Sequence, residues 1–142
     1  KVPVIWANKG LEPNTAKLPH EVALEELGND WAWGALSGPS FAAELVRGLP
    51  TAVTLAVNQA DFAREAGAAL HGGSLRVYTS TDVSGVAVGG ALKNVMAIAA
   101  GISDGMQFGN NARAAMITRG LAEMTRFGVA MANWRAMIRN NG

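Results

Sequence analysis

Leu75-Arg76-Val77-Tyr78-Thr79-Ser80-Thr81-Asp82-Val83-Ser84-Gly85-Val86-Ala87-Val88-Gly89-Gly90-Ala91-Leu92-Lys93-Asn94 is the stretch in which the chain changes period. Its first five residues read as a strand, the last of a series. Beyond Asp82 the pattern is helical, and no convincing strand follows. Two long segments, 83–101 and about 111–127, are compatible with helices and are separated by Gly101, Gly105 and Gly109. A domain boundary is therefore expected near residue 81, dividing the chain into 1–81 and 82–142.

Working back from that boundary, strands and helices alternate. Residues 2–7 are a Val- and Ile-rich run of the kind that a strand buried on both faces shows, and Asn8-Lys9-Gly10 ends it. Pro19 and Gly28 bracket a helix over 19–27, with Val22, Ala23 and Leu27 as its apolar stripe. A second strand near Trp33–Ser37 ends at Gly38-Pro39-Ser40, where the serine is positioned to cap a short helix over 41–47. Thr51 to Val57, rich in β-branched residues, is the third strand. Asn58 is a candidate cap for the next helix, with Asp61 near its positive end and Gly72-Gly73 closing it. This alternation predicts an open α/β layer up to about Ser80, followed by an all-α segment.

Composition narrows the function classes. Twelve Lys plus Arg against eleven Asp plus Glu leave a formal charge of +1, so there is no basic field that would gather nucleic acid. With no cysteine and only His20 and His71, disulfide scaffolds and thiolate zinc sites are excluded, and a metal site is not expected. Nothing in Val2-Pro3-Val4-Ile5-Trp6-Ala7 resembles a secretory signal. Between Val83 and Ser103 the only charge is Lys93, enough to raise a membrane span. Gly85, Gly89, Gly90, Asn94 and a central lysine argue instead for a buried helix.

Three places could carry chemistry. In Gly89-Gly90-Ala91-Leu92-Lys93-Asn94, helical spacing sets Val86, Gly89, Gly90, Ala97 and Ala100 on the face from which Lys93 projects. Two adjacent glycines inside a helix cost about 1 kcal/mol each relative to alanine, which is consistent with close approach by a cofactor or another helix. A lysine snorkelling from tightly packed helices fits the same residues equally well. The other two places are Asn8-Lys9-Gly10 and Ser37-Gly38-Pro39-Ser40, each directly after a strand. In open parallel sheets ligands bind beyond the strands' carboxyl ends. Taken singly, each of these loops reads more simply as solvated turn punctuation. The run Asp104 to Arg113 reads as structural, with Asn110 capping the second long helix, and Arg119 with Glu123 as an ordinary i,i+4 pair.

Taken together, Trp6-Ala7-Asn8-Lys9-Gly10-Leu11-Glu12, Leu36-Ser37-Gly38-Pro39-Ser40-Phe41-Ala42, Gly48 to Val53, Gly89 to Asn94, Asn111-Ala112-Arg113 and Ile117 to Met124 resemble bacterial NAD(P)-dependent glycerol-3-phosphate dehydrogenases in content, order and spacing. The resemblance covers about residues 4–130. It implies part of a Rossmann-type domain (1–81) followed by the start of a helical substrate domain (82–142). It also implies reversible hydride transfer between NAD or NADP and a small-molecule substrate, dihydroxyacetone phosphate in one direction and sn-glycerol 3-phosphate in the other. By the same matching Lys93 is the catalytic lysine, while Lys9 contacts substrate and cofactor. Gly38 and Ser40 line the substrate site, Ala42 touches the dinucleotide and Asn94 supports the substrate.

The departures are equally specific. The glycine-rich phosphate loop that opens a Rossmann domain is absent from these 142 residues, and so is the later helical segment with its substrate-binding Arg-Asn pair. The chain alone is therefore expected to be inactive, and the residue that would discriminate NAD from NADP is not in it. From Met131 onward the family pattern is not expected to continue, and Arg139-Asn140 is read as coincidence. A cytoplasmic address, no integral membrane segment and a possible homodimer complete the expectation. The alternatives are another lysine-based dehydrogenase of the 3-hydroxyacid or 6-phosphogluconate type, and a helical interaction module.

Overall fold

The computed structural model describes the backbone of residues 2–140 and the side-chain surroundings of residues 2–131. The elements are β1 (Val4–Trp6), α1 (Pro19–Leu27), β2 (Trp33–Ser37), α2 (Ala42–Val46), β3 (Thr51–Val57), α3 (Ala60–Leu70), β4 (Leu75–Ser80), α4 (Val83–Gly105) and α5 (Gly109–Asn140). The four strands form one sheet in the order β1-β2-β3-β4. This is the expected α/β layer followed by helices. The sheet is mixed, however: β1 runs parallel to β2 and β3 parallel to β4, while β2 and β3 are antiparallel. A parallel return from β2 to β3 needs a crossover element laid over the sheet. Helix α2 is only five residues long and is exposed throughout, so it covers nothing.

The chain forms two compact units, one through Ala87 and one from Val88. In the first, β3 is an inner strand, with Leu55, Ala56 and Val57 wholly inaccessible. Alternation along the strands divides the core between the two sheet faces. On one face Trp33, Ala35 and Ala56 pack with Val83, and Ala23, Leu27, Trp31 and Val86 close over them. On the other, Leu55 and Val57 pack against Ala63, with Phe62 and Ala66 of α3 alongside. Burying Leu55 and Val57 stabilises the unit by about 1.5–3 kcal/mol each. Because Val83 and Val86 belong to the first cluster, the opening turn of α4 is part of the sheet unit, and the unit ends at Ala87, beyond the change of sequence period at residue 81.

Local chemistry sets the ends of the elements. Pro19 opens α1, the Leu18 N–H donates to Glu21 Oε2 at 2.7 Å, and Gly28 closes the helix at φ 74°. Gly34 is required by packing: a Cβ there would lie 2.1 Å from the Ala56 carbonyl oxygen and 2.8 Å from Val57 Cα. Trp33 stacks on Trp6 with centroids 6.1 Å apart and donates from Nε1 to the Gly28 carbonyl at 2.8 Å.

Several local expectations are corrected. Strand β1 is not buried on both faces. It is an edge strand paired only with β2 among the described residues, and Val4 and Ile5 are 40% and 37% exposed. Ser40 does not cap α2, whose N-cap is Phe41. Nor does Asn58 cap α3. Its Oδ1 accepts from the Trp33 N–H at 2.9 Å and its Nδ2 donates to the Trp31 carbonyl at 2.8 Å, tying the end of β3 to the start of β2. Gly101 lies inside α4, and Asn110 lies inside the first turn of α5, which opens at Gly109. Glu123 pairs with Arg126, three residues on, instead of Arg119.

Candidate functional site

Parallel pairing of β1 with β2, with Trp6 opposite Ala35, directs both carboxyl ends to the same edge of the sheet. The loops carrying Lys9 and Gly38-Pro39-Ser40 therefore leave from that shared edge. Lys9 is half-buried, and its Nζ donates to the Ala7 carbonyl at 3.2 Å, holding the amine close to the strand end. Gly10, at φ 111°, turns the chain directly after it. Lys9 helps line a cleft of about 550 Å³ whose walls include Trp6, Asn8, Glu12, Val22 and Leu27.

Gly38 is a glycine because the backbone of β3 lies against it. A Cβ would be 2.8 Å from the Ala52 carbonyl oxygen and 2.9 Å from Val53 Cα. Ser40 is exposed, with its hydroxyl donating to the Gly38 carbonyl at 3.4 Å, and Ala42, the first residue of α2, is exposed as well. The three motif positions 38, 40 and 42 thus present a close backbone and small side chains at one sheet edge. Among the described residues no group of three His, Asp or Glu side chains is arranged to hold a metal ion.

Lys93 and Asn94 belong to the second unit, on α4. Lys93 is half-buried and Asn94 exposed. One turn before Lys93, a Cβ on Gly89 would meet nothing within 4 Å, and the adjacent Gly90 is buried. Helix α4 is long and apolar enough to cross a membrane by length and composition alone. Its end is tied to α5 by the ion pair of Asp104 and Arg113, 3.4 Å apart. The Lys17 ammonium is held above its ordinary value by its hydrogen bond to Glu25, with partial desolvation acting the other way.

Among polar groups of the first unit, sequence reasoning assigned Asn58 to the wrong partner and gave His20 no role. His20 is 6% exposed, and its Nε2 lies 3.1 Å from Ser84 Oγ. No local pattern announces a pair separated by 64 positions.

An α/β sheet with loops gathered at the carboxyl ends of a parallel strand pair, followed by long helices, is the arrangement of a Rossmann-type domain joined to a helical segment. Comparison with known proteins makes the assignment specific. The model of the NAD-dependent glycerol-3-phosphate dehydrogenase N-terminus matches residues 1–63, and that of the C-terminus of the same family matches residues 82–141. The chain belongs to the NAD-dependent glycerol-3-phosphate dehydrogenase family. It is 80% identical over 129 residues to the glycerol-3-phosphate dehydrogenase (NAD(P)+) of Methylobacillus flagellatus, covering 91% of this chain and 39% of the relative. It is 61% identical over 131 residues to that of Nitrosospira multiformis, covering 92% and 39%. Among solved structures, glycerol-3-phosphate dehydrogenase from Coxiella burnetii superposes with a TM-score of 0.84 at 46% identity, covering 92% of this chain and 40% of that one. The Plasmodium falciparum enzyme gives 0.82 at 25% identity, covering 93% and 37%. The chain thus spans about two-fifths of the length of these relatives. The C-terminal match runs to residue 141, so the family pattern continues past Met131, where sequence reading expected it to stop.

Proposed function

We propose that the protein carrying this chain interconverts dihydroxyacetone phosphate and sn-glycerol 3-phosphate, with Lys93 as the proton-transfer group. The observation that carries this reading is the lysine itself, placed on a glycine-bearing face of α4 within a segment matched by the family's C-terminal model. NAD or NADP, when bound, would supply or accept the hydride at C2 of the substrate. As hydride arrives, the Lys93 ammonium donates a proton to the developing C2 oxyanion; in reverse, the neutral amine removes the hydroxyl proton.

Lys9 contributes positive charge for substrate and cofactor. Gly38 and Ser40 line the substrate. Ala42 leaves room for the dinucleotide, and Asn94 hydrogen-bonds substrate beside Lys93. In this reading residues 1–81 are Rossmann-type, residues 82–142 begin the substrate domain, and α4 is a helix of that domain instead of a membrane span. The protein is cytoplasmic and takes a small molecule as substrate.

A segment exchange tests the proposal. Replacing the matching stretch of the Methylobacillus flagellatus enzyme by this sequence is expected to give a chimera that reduces dihydroxyacetone phosphate with NADH or NADPH. It should leave 3-hydroxyacids and 6-phosphogluconate unoxidised. A folded chimera inactive on dihydroxyacetone phosphate, or active on either of the other substrates, would overturn the reading.

A further inference from the structure

One side of α4 is left bare. Val95, Ile98 and Ile102, followed by Met106, stand three or four residues apart, and Met106 still donates its N–H to the Ile102 carbonyl at 2.9 Å. At about 100° per residue they fall within roughly 80° of one another and form a single stripe. They are 57–66% exposed, although large apolar side chains aligned on one helix face ordinarily turn toward a core. Lys93, on the same count, projects from the opposite side of the helix. A third side meets α5, where Met96 lies so close to Gly120 that a Cβ there would overlap it. The stripe borders a trough of about 460 Å³ lined by Val95, Met96, Gly120, Met124 and Phe127.

Gly101 and Gly105 widen the bare side. They are one turn apart, neither has a left-handed backbone, and a Cβ on either would meet nothing within 4 Å. Neither conformation nor packing among the described residues therefore calls for glycine, although glycine weakens a helix interior relative to alanine. What the pair provides is a notch beside Ile98 and Ile102 where the backbone of a second helix can come close.

The surroundings indicate whose helix it is. Between Asn94 and Phe108 the only charge is Asp104, so no lysine or arginine borders the stripe to meet lipid headgroups. The four side chains offer on the order of 300 Å² of apolar surface, far less than the roughly 800 Å² per partner on which separate proteins associate. A helix of the same polypeptide needs no such area, because its tether supplies the effective concentration. The relatives have the polypeptide to supply it: this chain spans about two-fifths of their length, and the family's C-terminal model matches it from residue 82 to 141.

We propose that the stripe from Val95 to Met106 is the seat of a further amphipathic helix of the same polypeptide, supplied by the part of the protein outside these 142 residues. A large side chain of that helix rests in the notch of Gly101 and Gly105. The seat lies opposite Lys93, so it is independent of the proton-transfer assignment.

Cysteines introduced into the chimera described above test the seat, since this chain brings no thiol of its own. Ile98→Cys is expected to react with N-ethylmaleimide at least about 100-fold more slowly than Arg64→Cys, an exposed position on α3, and the two rates should converge in urea. Labelling is read by mass spectrometry of the modified peptides. In this chain alone the two variants should react at similar rates. Gly101→Leu, which fills the notch, should lower the chimera's melting temperature by several degrees and leave that of this chain no lower. Equal reactivity of the two cysteine variants in the folded chimera, or a Gly101→Leu chimera as stable as its parent, would overturn the inference. So would protection that disappears on dilution, which would make a second copy the occupant, or protection that appears only with anionic phospholipid vesicles. Should Ile98→Cys fail to fold, Val95→Cys on the same stripe takes its place. Neither readout involves turnover: a chimera protected at position 98 but inactive on dihydroxyacetone phosphate would defeat the functional reading and leave the seat standing.

Discussion

Gly89→Ala exploits a conflict between the stability of α4 and the use made of its face. Gly89 lies within the helix, and an added Cβ meets nothing within 4 Å. Neither a clash nor a filled cavity therefore offsets the intrinsic preference of a helix interior for alanine over glycine, about 0.8–1.0 kcal/mol. The melting temperature of this chain, followed by circular dichroism at 222 nm, should rise by roughly 3 °C, the shift that 1 kcal/mol gives a domain of this size. In the active chimera the same methyl group stands one turn from Lys93, on the face that the proposed function has substrate and nicotinamide approach. There kcat/KM for dihydroxyacetone phosphate should fall by at least about tenfold, the cost of displacing reacting groups by a fraction of an ångström. A lower melting temperature would refute the premise that the face is open. Unchanged kcat/KM alongside a raised melting temperature would refute the premise that ligand approaches it.

Three further outcomes follow from the geometry of the first unit. Gly34→Ala brings a Cβ about 1.3 Å inside the 3.4 Å at which ordinary contact with the Ala56 carbonyl begins, so urea denaturation should show a loss of about 3 kcal/mol, at the upper end for overpacking. Asn58→Ala leaves the Trp33 N–H and Trp31 carbonyl without their side-chain partner and should cost about 1–3 kcal/mol by the same assay, where a helix cap alone would cost about 1. The Lys17–Glu25 pair stabilises only while Lys17 is charged. Because the folded-state pKa is raised, its contribution is complete below the ordinary value of 10.5 and is lost as pH rises through the higher folded value. Lys17→Met should therefore flatten the alkaline limb of a plot of melting temperature against pH.

The order of elements was legible because their ends are marked by strong local chemistry. Pro19 and Gly28 delimit α1, the β-branched run 51–57 is β3, and the loss of alternation after Asp82 marks the start of α4. What the sequence concealed was relational. Whether β2 and β3 run parallel depends on whether the intervening segment packs on the sheet, and the apolar residues of α2 do not reveal that it stands exposed. Asn58 carries the same polar atoms whether it caps a helix or bridges two strands, so composition cannot choose between them. For β1, an apolar run reads as buried even where it forms a sheet edge.

The site divides in the same way. The glycine-flanked Lys93 stood out from helical spacing alone, and the motifs around Lys9, Gly38 and Ser40 gained meaning only through their joint resemblance to one enzyme family. Gly38 has a structural explanation in the approach of β3, which spacing could not disclose. The contact between His20 and Ser84 required coordinates.

Chemical rescue of Lys93→Ala in the chimera tests the central claim most directly. Loss of the proton-transfer group should lower the rate of dihydroxyacetone phosphate reduction by about 10²–10⁴-fold, and added small primary amines should restore part of it in proportion to their concentration. Turnover of Lys93→Ala at the parent rate, with or without amine, would contradict the account.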